Sequence, residues 1–390
     1  MGATNSATQG ARPPNPVRLF LMTNTFETGG SERQYTVLAK NLDPSKFEVH
    51  LGCVSHRGAL AGEFESVPQF PLGGSLFRWR SLRTRFKLKG HLQANRVEVA
   101  HAFDFYSNLT MIPSAKLARV PVVIGSHRQI GDLMTAAQFR AQAAAFRWCD
   151  AIVCNSQAAA DRLLSAGIPQ AKLTVIGNAL PDKLFQPAAA ALPKVRGVLR
   201  IGMVARMNAA YKNHAGLLRI AAEVRRSVPN AEFVFVGDGP LRSELEQQAA
   251  ALGLMTTTGS SQGVVFLGDR QDIPEILASL DIAVLTSDSE SLSNVILEAM
   301  AAGLPVVAYA GGGNGELINS ERGALVPLRN ESEFATAVVR LLADAALRNK
   351  LGANARVFVE QNFKLDCVRN HYQDLYASLL ERKQGRGAGE

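Results

Sequence analysis

The chain has 390 residues, 47% of them hydrophobic, with 42 Lys and Arg against 34 Asp and Glu for a net charge of +8. That length exceeds one ordinary core and predicts two domains, and the apolar content excludes a disordered chain. No apolar run reaches the ~18 residues of a membrane span. The positive balance favours acidic partners, nucleotide diphosphates or anionic lipid surfaces, and no nucleic-acid-binding motif accompanies it.

Residues 1–16 are small, polar and Pro-bearing, without the apolar core of a signal peptide, and are expected to be a disordered tail. A first unit follows over 17–180. Short apolar strands are predicted at 18–22, 48–54, 99–102, 121–125, 151–154 and 173–176, with a helix at 32–42 after the first. Apolar strands separated by helices predict a parallel sheet covered on both faces. Gly29-Gly30 stands between the first strand and its helix, where glycine permits the close backbone approach of a phosphate-facing loop or simply a tight turn. No G-x-G-x-x-G occurs there, which argues against a dehydrogenase.

From Arg78 to Lys89 basic residues alternate with Trp79, Leu82, Phe86 and Leu88, and no acid intervenes. Residues 79, 82 and 86 fall at helical spacing. Two readings stay open: a helix lying on an anionic membrane, or one packing its apolar stripe on the first domain with its charges in water. Cys53, Cys149, Cys154 and Cys367 show no zinc or disulfide spacing and are expected to be reduced thiols of a cytosolic protein.

Residues 181–198 hold Pro181, Pro187 and Pro193 and are predicted to be a linker. A second unit over 199–363 restarts the pattern, with strands at 199–204, 232–236, 264–267, 282–285, 305–308 and 324–326. A loop is expected over 252–263 and helix over 331–363. A last helix spans 364–382, and 383–390 is expected to be disordered. The fold class is α/β: two Rossmann-like doubly wound domains facing a central cleft, with ligands beyond the carboxyl ends of the strands. Arg206 and Lys212 follow the first strand of the second unit, as cations that can stabilise a departing diphosphate. Gly237-Asp238 and Gly268-Asp269-Arg270 follow later strands and should face a nucleotide.

Glu290 and Glu298 then flank a turn rich in Ser and Asn and the start of a helix. Ser291 or Ser293 can cap that helix, and its free amides and dipole make a phosphate site. Glu290-x7-Glu298, followed by Ala-Met-Ala-x-Gly-x-Pro-Val-Val, resembles the signature of the retaining glycosyltransferases of family four, which have the GT-B fold. The resemblance implies that Glu290 contacts the donor sugar and Glu298 the ribose, with Leu292, Ser293 and Asn294 at the donor between them. It implies that Arg206 and Lys212 are the family's Arg-x5-Lys pair, although Ala205 stands where a Gly usually precedes the Arg. It also implies that Gly29-Gly30 opens a Gly-Gly-x-Glu-Arg loop facing diphosphate and acceptor, and that His127 lies near the anomeric centre. Arg128, Asp104 and Asn24 become acceptor-side candidates, Asn155, Ser156 and Asn178 cleft scaffolding, and the final helix is expected to cross back onto the first domain.

The expected reaction is retaining transfer from a nucleoside-diphosphate sugar, expected to be a UDP-sugar, to the hydroxyl of a glycan, lipid-linked or small-molecule acceptor. The expected setting is cell-surface polysaccharide or glycolipid assembly in the cytoplasm, at the inner face of the membrane. No Asp-x-Asp stands at a plausible donor site, so neither metal nor cofactor is expected. Two alternatives remain: a nucleotide-sugar epimerase of the same fold, and a non-catalytic nucleotide-sugar-binding subunit.

Overall fold

A computed structural model describes residues 16–73, 79–130, 134–255 and 263–387. Residues 1–15 of the expected N-terminal tail, Arg78, most of the loop expected over 252–263 and the last three residues lie outside the described residues. The first sheet consists of β1 (Val17–Thr23), β2 (Phe47–Cys53), β3 (Val99–Ala102), β4 (Val122–His127), β5 (Ala151–Cys154) and β6 (Leu173–Val175). All pairs are parallel, in the order β2-β1-β3-β4-β5-β6. The crossovers contain α1 (Gly30–Asn41), α2 (Trp79–Ala94), α3 (Phe105–Leu117), α4 (Ala136–Phe146) and α5 (Gln157–Leu164).

The second sheet consists of β7 (Leu199–Val204), β8 (Ala231–Val236), β9 (Val264–Phe266), β10 (Ile282–Leu285), β11 (Val306–Tyr309) and β12 (Gly323–Val326), parallel in the order β12-β11-β10-β7-β8-β9. Its helices are α6 (His214–Ser227), α7 (Arg242–Ala251), α8 (Ile273–Leu277), α9 (Asn294–Ala301), α10 (Asn314–Leu317), α11 (Glu331–Ala343) and α12 (Ala345–Phe363). The stretch expected to be helical over 331–363 breaks at Asp344. Its carboxylate accepts from the Leu347 amide at 2.8 Å and so starts a new helix.

α13 (Leu365–Gly387) closes the chain. Leu180 and Lys364 form a parallel bridge, so the chain's two passages between the halves lie side by side. Val368, Tyr372, Leu375, Tyr376, Leu379 and Leu380 of α13 are buried in one cluster with Leu19, Leu21, Val122 and Ile124 of the first sheet. α13 runs past the expected end at 382, because the Lys383 ammonium pairs with Asp150 of the first half at 2.6 Å. The predicted linker does not hang free. The Ala191 amide donates to the Glu275 carbonyl and that of Leu192 to Ser279 Oγ, which lays the segment along the second half.

α2 is the element whose orientation the sequence left open. Its buried side is Ser81, Thr84, Leu88 and Leu92, with Ser81 and Thr84 hydroxyls donating to the carbonyls of Leu72 and Pro71. Trp79, Leu82 and Phe86 are 77%, 41% and 53% exposed. The reading in which this stripe packs on the first domain is therefore wrong. Hydroxyl-to-carbonyl bonds hold the helix down, and Leu88 and Leu92 supply the apolar burial. Among the described residues no helix is long and apolar enough to cross a membrane.

Candidate active site

In the second sheet the strand order reverses between β10 and β7, and a doubly wound sheet opens a crevice at such a point beyond the carboxyl ends of its strands. The loop after β7 carries Arg206 and Lys212, and the loop after β10 carries Glu290 and the start of α9. Thr286 ties the two loops together, its hydroxyl reaching the carbonyls of Lys212 and Asn213 at 3.1 and 3.0 Å. The Asp288 amide also donates to the Tyr211 carbonyl.

Lys212 Nζ donates to Glu290 Oε1 at 2.5 Å, and the two side chains are only 19% and 15% exposed. Ser293 caps α9, its hydroxyl accepting from the Ile296 amide at 3.4 Å. The Asn294 and Val295 amides of the same turn precede the first intrahelical bonds, which suits an anion. Glu298 lies farther along α9, 15% exposed, with Arg33 of α1 at 3.7 Å. Burial holds its carboxyl above the usual range, while Arg33 and Lys183 oppose the shift. Gly237 has φ of 130° and lies so close to the Ala205 carbonyl that a side chain would collide with it. This glycine lets the turn after β8 lie against the Arg206 loop.

The first half supplies the other wall. Arg206 Nη2 reaches the carbonyl and hydroxyl of Thr28 at 2.6 and 2.7 Å, just before Gly29. Gly30 lies against the Asn294 amide, where a Cβ would approach Nδ2 to 3.3 Å. Glu32 folds back over Gly29, and burial raises its carboxyl to about 6, opposed by its own backbone amide and by Arg206. Asn178 Nδ2 donates to Asn294 Oδ1 at 2.6 Å, and Arg128 Nη2 donates to Asn178 Oδ1 at 2.5 Å. Ser291 Oγ donates to Asn155 Oδ1 at 2.6 Å and lies 3.1 Å from Ser156 Oγ. Leu292 is buried, and its carbonyl accepts from Asn178.

Other candidates are placed elsewhere or already engaged. His127 is 0% exposed, with its ring packed between Phe139 and Phe146, Nδ1 3.4 Å from Gln142 and Nε2 without a partner. Strand alternation aims it into the α3–α4 layer, so it presents no surface to the cleft, a correction to the expected place beside the anomeric centre. Burial lowers it to about 4, so it is neutral at ordinary pH. Asp104 caps α3 and also accepts from Thr23 and the Asn24 amide, which occupies it within the first half. Arg270 is held by Asp272 through two bonds of 2.7 and 2.5 Å, and Asp238 by Arg242 at 2.9 Å and the Gly239 amide. The sequence reading had Arg33 only as the last residue of the Gly-Gly-x-Glu-Arg loop, and it did not single out Thr28, because nothing local announces which partner is met across a cleft. Burial pushes the thiols of Cys53, Cys149 and Cys154 up to about 12, which keeps them unreactive.

Residues 28–183 match the family model described as Glycosyltransferase Family 4, and residues 198–344 the model described as Glycosyl transferases group 1. EpsF of Bacillus subtilis is 28% identical over 316 residues, 74% of this chain and 78% of that one. The UDP-Gal:alpha-D-GlcNAc-diphosphoundecaprenol alpha-1,3-galactosyltransferase of Escherichia coli is 26% identical over 322 residues, 78% of this chain and 80% of that one. The crystal structure of Anabaena HepE in complex with UDP has the same fold, with a TM-score of 0.80 at 22% identity over 93% of this chain and 100% of that one. Two parallel doubly wound halves, a cleft at the switch point and models matching both halves lead to one conclusion: the chain belongs to glycosyltransferase family 4, has the GT-B fold and is a glycosyltransferase.

Proposed function

We propose that the enzyme transfers a sugar, with retention of configuration, from a UDP-sugar to a hydroxyl of a lipid-linked glycan during cell-surface polysaccharide or glycolipid assembly. The observation that carries this reading is the Lys212–Glu290 pair just before the start of α9, with Arg206 held on Thr28 of the facing loop and Glu298 farther along the same helix. A diphosphate seated there faces two cations and the first amides of α9. Charge building on the leaving oxygen is met by groups already in place, which is the protein's way of doing this work without a metal ion. Glu290 then holds the sugar and Glu298 the ribose. The bond from the anomeric carbon to phosphate breaks as the acceptor oxygen attacks from the same face. The acceptor proton passes to a phosphate oxygen of the departing diphosphate. UDP in the HepE structure and the diphosphoundecaprenol-linked substrate named for the Escherichia coli relative support the donor and acceptor classes.

The acceptor class fits the surface of the first half. α2 presents Trp79, Leu82 and Phe86 to solvent among Arg80, Arg83 and Lys87, with no acidic residue along the helix. Leu117 and Trp148, beside Lys116, are exposed on the same helical layer. Apolar side chains that enter the headgroup region, flanked by cations, suit an anionic leaflet. We place the reaction on the cytoplasmic leaflet, reached from the side rather than through a span.

The test is product analysis by mass spectrometry with a panel of nucleotide sugars, with and without undecaprenyl-diphosphate-linked acceptors. Acceptor-dependent transfer with retained configuration is expected. Conversion of the donor without acceptor would make the protein an epimerase, nucleotide binding without turnover a binding subunit, and an inverted product would overturn the front-face route.

A further inference from the structure

Glu316 lies on α10 in the second half, yet its carboxylate serves a helix of the first. Oε2 accepts from the Gln157 amide at 2.8 Å and Oε1 from the Ala158 amide at 2.9 Å. These are the first two amides of α5. The third, Ala159, is met by the N-cap hydroxyl of Ser156 at 3.1 Å. The opening amides of a helix have no intrahelical partner, and a carboxylate there also meets the positive end of the helix dipole. The first turn of α5 is therefore fully satisfied by protein groups when the two halves are closed on each other.

The same carboxylate is linked to the chemistry through glycines. The Glu316 amide donates to the Gly313 carbonyl at 3.0 Å, and the Gly313 amide donates to the Glu290 carbonyl at 2.8 Å. A Cβ on Gly312 would collide with the Glu290 carbonyl oxygen, and one on Gly313 with that of Ser291. The glycine run thus lies directly under the segment that carries Glu290. Ser291 bridges the same seam to Asn155 and Ser156.

We propose that Glu316 is a positioning residue for sugar transfer: by capping α5 across the cleft it latches the halves and fixes the Glu290 segment through the glycine run. The proposal rests on the reading of Glu290 as the donor-facing carboxylate. It goes further in making that placement conditional on closure. Both carboxylate oxygens of Glu316 are taken by the first amides of α5. Glu316 acts through the Gly313–Glu290 bond and the seam at Ser291.

Two variants test it from opposite sides. Glu316→Ala removes the acceptor. Gln157→Pro removes one donor at the first position of α5, where proline is compatible with a helix. The preceding Ser156 is extended at φ −151° and ψ 161°, which proline also tolerates. Each variant is expected to lower kcat by roughly tenfold or more, since a small misplacement near the reacting centre is costly. KM for the donor should change by less than about threefold, because the nucleotide contacts remain. The double variant should be no worse than the poorer single one, as expected for two ends of one contact.

Solution X-ray scattering gives a readout that needs no turnover, with a larger radius of gyration expected for both variants in saturating UDP than for the unsubstituted protein. If the variants stay as compact as the parent, or if the double variant loses the product of the two single effects, the latch is wrong even where transferase activity is established. If the radius grows while no substrate is ever turned over, the latch stands as a contact between the halves, and the reading of Glu290 fails instead.

Discussion

Lys212 and Glu290 form a pair 2.5 Å apart with most of both side chains out of water. Charge-assisted bonds of this kind are strong, and removal of one partner leaves the other buried without compensation. Glu290→Gln keeps the shape and removes the charge. It is expected to lower kcat by about 10² or more, the scale set by loss of one group aimed at a charge-bearing transition state, while UDP binding by calorimetry persists. Full activity in that variant would remove Glu290 from the mechanism.

The buried histidines set an acid limit. Burial lowers His101 to about 3 and His127 and His214 to about 4. Their unfolded values lie near 6.5, so below that pH the unfolded chain binds more protons than the folded one. Their contribution is therefore complete above about pH 6.5 and is lost as pH falls toward 4. The melting temperature should drop between pH 6.5 and 4.5, and His127→Gln should make that drop shallower than in the parent, by an amount on the order of 2 kcal/mol of stability at the acid end. Equal slopes for the two proteins would mean that His127 titrates normally.

At the scale of the element, α9 and α2 contrast in what their sequences reveal. The Ser293 cap, the glutamates at 290 and 298 and the apolar run between them are local features, so α9 and its capped start were legible from spacing. α2 has a helical pattern that fits two opposite orientations. Its inner face is decided by the carbonyls of Pro71 and Leu72, which receive Thr84 and Ser81, and no periodicity in α2 reports them. The orientation has a direct consequence. Trp79→Glu with Phe86→Glu should abolish co-sedimentation with vesicles rich in phosphatidylglycerol, while melting temperature and activity on a water-soluble acceptor stay close to the parent's. The unsubstituted protein should bind those vesicles and not neutral phosphatidylcholine ones, with affinity falling as salt rises. Equal binding to both lipids would exclude the electrostatic part of this reading.

At the scale of the molecule, α13 joins the end of the chain to the first sheet through a polar network inside an apolar cluster. His101 Nδ1 lies 2.8 Å from Tyr376 Oη and Nε2 2.8 Å from Ser126 Oγ, while Arg128 joins Tyr372 to Asn178, and Asn178 joins Asn294 of α9. Tyr376→Phe keeps the ring packing and leaves His101 Nδ1 unsatisfied in the core, a change expected to cost about 1–3 kcal/mol. It should appear as a lowered urea midpoint with an unchanged slope. No loss on that substitution would mean that water replaces the hydroxyl.

The sequence by itself determined the alternation of short apolar strands and helices, the division into two doubly wound halves and the spacing of Arg206, Lys212, Glu290 and Glu298, because each depends on residues near one another in the chain. The tertiary structure alone decided what faces what. It put Arg33 beside Glu298, Arg206 on Thr28 and Glu316 on α5, turned the Trp79 stripe outward and buried His127 in the layer behind the sheet. The physical reason is the same in each case: a contact across a cleft, or the choice of side for a strand or helix, is set by partners far away in sequence.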